Sequence, residues 1–192
     1  MEYFTTTSDA SRRATDCVIV GIYDSGKLAA GASEIDAASD GELRRLAKSG
    51  DISSRPGRCV LLRNLGGVKA PRVAVVGLGK QGELDTRKFC RAVAASIAAL
   101  SESKCHDILN TLTREDVADA NLYYLARQTV QTIGDSLYRF TEMKSKNNNA
   151  RMPLKKVGLS VADRGDASKA MLGAKHGDGI VEGMSLAKDL GN

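Results

Sequence analysis

The sequence predicts a mixed α/β fold, a β-sheet sandwiched between helices. Three observations carry that expectation. Apolar runs such as VIV within 17–23 and VAVV within 72–78 do not alternate with polar residues, as suits strands covered on both faces. Amphipathic helical patterns lie between the runs. The eight residues NLGGVKAP (64–71) joining two of the strands are too few for a βαβ crossover, so that pair runs antiparallel and the sheet is mixed.

The elements follow in order. CVIVGIY (17–23) is the first strand, and DGELRRLAKSG (40–50) reads as a helix with Asp40 as N-cap and Gly50 as its stop. CVLLR (59–63) and RVAVVGL (72–78) form the antiparallel pair. A helix from Asp85 to Ser103 opens on the capping residues Asp85 and Thr86 and aligns Phe89, Val93, Ile97 and Leu100 on one stripe. Burying each of those side chains contributes about 1.5–3 kcal/mol, more than helix propensity supplies.

HDILNTL (106–112) is the fourth strand. A longer helix spans 115–140, with Val117, Leu122, Leu125, Ile133 and Leu137 as its apolar face and Gly134 costing it about 1 kcal/mol relative to Ala. SKNNNARMP (145–153) is a polar connector closed by Pro153, and KKVGLSV (155–161) is the fifth strand. The last helix covers 168–190; Gly173, Gly177, Gly179 and Gly183 either break it or let another backbone approach closely. No internal repeat or low-complexity tract interrupts this order.

A chain of 192 residues suits one domain with a core of its own. Its apolar share of 42% and charged share of 27% are those of an ordinary globular protein, and no apolar run approaches the ~18 residues of a membrane span. The start, MEYFTTTSDASRR, has no apolar signal segment, so the expected location is the cytoplasm. Cys17, Cys59, Cys90 and Cys105 sit in or beside apolar runs without C-x-x-C spacing and read as structural thiols. The net charge of +5 suits an anionic partner without demonstrating one.

Candidate chemistry is sparse. Gly77, Gly79 and Gly82 in RVAVVGLGKQG match G-x-G-x-x-G after a strand, the pattern of a dinucleotide loop. The helix begins several residues late, however, and no acid closes the next strand to hold a ribose, which favours a tight strand-to-helix turn. His106 and Asp107, adjacent in a strand, would point to opposite faces, and His176 near Asp178 reads as a surface histidine. No metalloprotease, nucleophile-elbow or P-loop motif is present. Lys144, Lys146, Arg151, Lys155 and Lys156 form an acid-free basic segment that would attract a phosphate backbone, though no aromatic residues interleave for stacking. The alternative is a solvated connector beside an edge strand, where lysines discourage unwanted pairing.

Several stretches carry a family resemblance. LYRFTEMKSKNNNARMPLKKVGL (137–159) resembles the end of the long helix and the next strand in the N-terminal domain of the leucyl, or cytosol, aminopeptidases, bacterial members above all. GIVEGMSLAKDLGN (179–192) is similar to the helix linking that domain to the catalytic one, and RVAVVGLGKQGELD (72–85) and SRPGRCVLLRNL (54–65) also fit. The resemblance implies a macro-domain-like fold for residues 1–192, a single non-catalytic domain, with 179–192 starting the linker toward a C-terminal catalytic domain. It implies that the whole enzyme is hexameric and cleaves N-terminal residues, leucine preferred, with two divalent metals (manganese or zinc) outside this sequence. It assigns no catalytic, cofactor or metal residue here. It also brings two alternatives: DNA binding through the basic segment, and nucleotide or ADP-ribose binding. The stripe Ile180, Met184, Ala187 and Leu190, running into the last residues, leads to the expectation that the sequence is one half of a longer protein.

Overall fold

The computed structural model describes residues 1–138 and 153–191. Its centre is a six-stranded sheet of β1 (Glu2–Thr6), β2 (Cys17–Tyr23), β3 (Cys59–Arg63), β4 (Arg72–Gly79), β5 (Asp107–Asn110) and β6 (Lys156–Ser160), in spatial order β1-β6-β5-β2-β4-β3. β3 is antiparallel to β4, with Cys59 opposite Val76 and Arg63 opposite Arg72; every other pair is parallel. The mixed sheet expected from the short 64–71 connection is therefore present. Every residue of β2 is buried, which requires cover on both faces of the sheet.

That cover comes from α1 (Ala30–Ala38), α2 (Glu42–Ser49), α3 (Thr86–Ala99), α4 (Leu122–Leu137) and α5 (Ala167–Gly191). α3, α4 and α5 pack side by side on the face that carries Tyr3 and Asn110: the Asn110 amide donates to Thr129 Oγ1 of α4, and the Tyr3 hydroxyl donates to Asp178 of α5 at 2.7 Å. Burial, and then the Asp178 carboxylate, push the Tyr3 phenol above its usual range. α1 packs on β2, and α2 packs on α1 and on the turn that follows β2. The stripe Phe89, Val93, Ile97 and Leu100 is fully inside, and Asp85 caps α3 by accepting from the Lys88 amide at 2.7 Å.

Several expectations need correction. β1 is a strand although EYFTT has no apolar run, and α1 is a helix built mostly of small residues. α2 is not capped by Asp40, which has φ +54; Gly41 holds the cap position in a left-handed conformation. The capping bond comes from Asp36, whose carboxylate accepts the Arg44 amide at 3.0 Å. α4 starts at Leu122, capped by Asn121, so residues 115–121 are not helical, although Val117 is buried. β6 lies between β1 and β5, so it is no edge strand.

The glycines of the last helix do not break it. α4 and α5 run parallel, and a Cβ at Gly173 would fall inside contact distance of the Tyr123 carbonyl oxygen, one at Gly177 2.8 Å from that of Arg127. From the other side, Gly134 admits Val181. Lys188 bonds to Asp135, and the Tyr138 hydroxyl donates to Asp189 at 2.8 Å, closing the far end of the helix pair.

Candidate functional site

Open α/β sheets take ligands at the carboxyl ends of their strands, where helix N-termini supply amide donors. The glycine loop at the end of β4 occupies such a place, and the chain fills it with itself. A Cβ at Gly77 would collide with the Arg55 carbonyl; the Gly77 amide donates to Arg58 O at 2.8 Å and the Gly79 amide to Ser54 O at 2.8 Å. Gly79 and Gly82 have φ of +79 and +81, the turn conformation that the glycines permit. The first amides of α3 are taken by carboxylates, Thr86 N by Asp119 at 2.8 Å and Lys88 N by Asp85. Side-chain anions thus stand where a pyrophosphate would bind.

The crevice above β2 is also filled from within. Glu115 accepts from the Tyr23 hydroxyl at 2.8 Å and from Ala30 N, the first amide of α1, at 3.0 Å. Beside it, Glu34 accepts from Ala10 N at 2.7 Å and pairs with Arg114 at 2.7 Å. Burial and the Glu115 charge hold the Tyr23 phenol above its usual range, so it stays a neutral donor. These two acids tie the loops after β1, β2 and β5 together. A nucleotide or ADP-ribose in this crevice would have to compete with these carboxylates for the amides of Ala30, Thr86 and Lys88.

The histidines do not converge. His176 Nδ1 meets the Tyr123 hydroxyl at 2.8 Å on the surface of α4 and α5, while Asp178 is engaged by Tyr3. His106 is exposed and precedes β5, so it does not share a strand with Asp107. Cys17 and Cys105 are buried without a disulfide, and burial raises the Cys59 thiol to about 11. Among the described residues no group of three or more His, Cys, Asp or Glu side chains is placed to hold a metal ion. A two-metal centre therefore does not fit the described residues.

Of the basic segment, Lys144, Lys146 and Arg151 lie outside the described residues. Lys155 is exposed, whereas Lys156 pairs with Glu2 at 3.1 Å and sits over the Phe4 ring at 5.2 Å.

Comparison with known proteins decides the family. Residues 19–147 match the model of the cytosol aminopeptidase family, N-terminal domain. The chain belongs to that family. A probable cytosol aminopeptidase of Methylobacillus flagellatus is 35% identical to this family member over 192 residues, all of this chain and 39% of the relative. The chain thus spans about two fifths of the length of these curated relatives. A tomato leucine aminopeptidase variant superposes with a TM-score of 0.74 at 18% identity, over 95% of this chain and 36% of that one. The macro domain of ganglioside induced differentiation associated protein 2 gives 0.64 at 11% identity, over 88% and 82%. Likeness at those identities shows the fold, which is the macro-domain-like one expected. No helix of the described residues is long and apolar enough to cross a membrane.

Proposed function

We propose that this chain is the non-catalytic N-terminal domain of a cytosolic leucyl aminopeptidase. Residues 1–192 make up that one domain, and 179–192 begin the helix leading to a C-terminal catalytic domain. The whole enzyme releases N-terminal residues, leucine preferred, from peptides. Two divalent metals, manganese or zinc, belong to the catalytic domain, where such a pair activates a water and clamps the developing charge. The domain supports assembly of the family's hexamer. One observation carries this reading: the match to the family's N-terminal domain in relatives of which the chain covers 39%. Their shared name supports the cytosol as the location.

Purified residues 1–192 should release no p-nitroaniline from leucine p-nitroanilide with manganese added. Turnover that a chelator abolishes would overturn the assignment. DNA is a second partner, supported by exposed Lys155 in the cationic 144–156 segment. A duplex retarded in a gel at low salt, released at high salt and bound more weakly by Lys155→Glu would support it. No retardation at low ionic strength removes it.

A further inference from the structure

β3 ends the sheet with a free hydrogen-bonding edge. The bonds at the two ends of its pairing with β4, Asn64 N to Pro71 O at 3.0 Å and Gly77 N to Arg58 O at 2.8 Å, fix the alternation. Arg58, Val60, Leu62 and Asn64 face β4, so Cys59, Leu61 and Arg63 turn their N–H and C=O groups outward. Among the described residues none of those main-chain groups has a partner. Natural edges are blunted by proline, lysine or a bulge, and the half-buried run Cys59–Leu62 carries none of these. The charges lie around it instead. From Ile52 to Gly82 the chain has six cations, Arg55, Arg58, Arg63, Lys69, Arg72 and Lys80, and no acid. Arg55, Arg58 and Arg63 are exposed. Arg91 of α3, also exposed, lies over the loop that enters β3, with its Nε 2.7 Å from where a Cβ would stand at Gly57. Among the described residues none of these four arginines is within ion-pair distance of a carboxylate.

The geometry points to β3 as a site of strand addition for an acidic protein segment, an extended stretch in which aspartate or glutamate alternates with apolar residues. Its main chain bonds to the outward groups of Cys59, Leu61 and Arg63, and its carboxylates meet Arg55, Arg58, Arg63 and Arg91. A second copy of this chain is a poor occupant. Antiparallel self-pairing about Leu61 would set Arg58 against Asn64 and Arg63 against Cys59, crowding the arginines of both copies into one short ladder. A nucleic acid would satisfy the cations but leave the apolar run and the outward C=O groups unmatched. An acidic strand satisfies all three, and the charges that repel self-pairing select it. The surface lies wholly within the described residues, so the inference stands apart from the proposed function.

The probe is a short fluorescein-labelled peptide alternating glutamate and valine, titrated with the 192-residue chain and read by fluorescence anisotropy. The parent peptide should bind. Of two versions, N-methylated at all glutamates or at all valines, one should bind about tenfold more weakly, because only one set of N–H groups faces β3. Arg58→Glu combined with Arg63→Glu should weaken the parent peptide about tenfold as well. Both side chains are exposed, so the variant should keep its Tm. Bound peptide should slow hydrogen exchange at the amides of Cys59, Leu61 and Arg63 about tenfold. An unchanged anisotropy overturns the inference, as does binding of both methylated versions as tight as the parent's, or exchange at those three amides that the peptide leaves untouched. So does a dimer of the chain in which those amides are already slow, since that assigns the edge to a second copy. If a short oligonucleotide binds through Arg58 and Arg63 while the peptide does not, the cations serve phosphate and the inference also falls. Hydrolysis of leucine p-nitroanilide plays no part in any of these outcomes.

Discussion

Gly173→Leu is expected to lower the Tm of the domain sharply, whereas Gly179→Ala, in the same helix, should raise it. At Gly173 the added Cβ meets the main-chain oxygen of Tyr123 and lies 3.1 Å from Ala126 Cβ, so the whole of α5 must move off α4 to make room. Overpacking against side chains costs about 1–3 kcal/mol, and a backbone obstacle that cannot rotate away puts Gly173→Leu at or above the upper end. Against a total stability of about 5–15 kcal/mol, that loss is large. Gly179 faces open space and has nothing to displace. Exchanging it for Ala recovers about 0.8–1 kcal/mol of helix propensity, or about 2–4 °C for a domain of this size. Thermal melts followed by circular dichroism read both. Shifts of the same sign would mean that the α4–α5 contact is not made through Gly173.

Phe89→Ala should cost about 3–5 kcal/mol, the usual range for deleting a fully buried aromatic side chain. Phe89 is wholly inside, one turn along α3 from its capped start, and its amide bonds to Asp85 O at 2.9 Å. The ring therefore sits where the helix is least able to shift and fill the hole. The urea midpoint should fall with little change in slope, and Tm should drop by about 10 °C. Asp85→Ala, which removes only the cap, should cost about 1 kcal/mol. If Phe89→Ala is no worse than Asp85→Ala, the α3 stripe is not the wall of the core described above.

What the sequence made legible was whatever local composition determines. The runs 17–23 and 72–79 are strands covered on both faces, and continuous apolar runs report that cover; 59–63, at one edge and half-buried, is legible by its own apolar run CVLLR. β1 is silent in the sequence because it is an edge strand, half-buried, and built from Thr and aromatic residues in place of an apolar run. α1 escaped because Ala, Gly and Ser give no strong periodicity; its small residues serve close packing, with Gly31 pressed against Thr111. The 115–121 segment mimics a helix in the sequence because buried Val117 continues the apolar phase of α4 from a loop. The candidate site was the least legible part. Glu115 meets Tyr23 and Ala30, and Glu34 meets Arg114 and Ala10, across long stretches of chain, and no spacing rule reports contacts of that separation.

The position of β1 bears on the order of folding. Among the described residues its partner strand is β6, with Glu2 beside Lys156 and Thr6 beside Ser160, so the first strand in chain order is seated only once the last has formed. The middle of the sheet can assemble from β2 through β5 while the leading strand waits, and a long loop must close before it gains any hydrogen bond. The amino-terminal strand therefore acts as a latch, and a bulky fusion placed directly before Glu2 would burden the closing step of maturation while leaving the centre to form first.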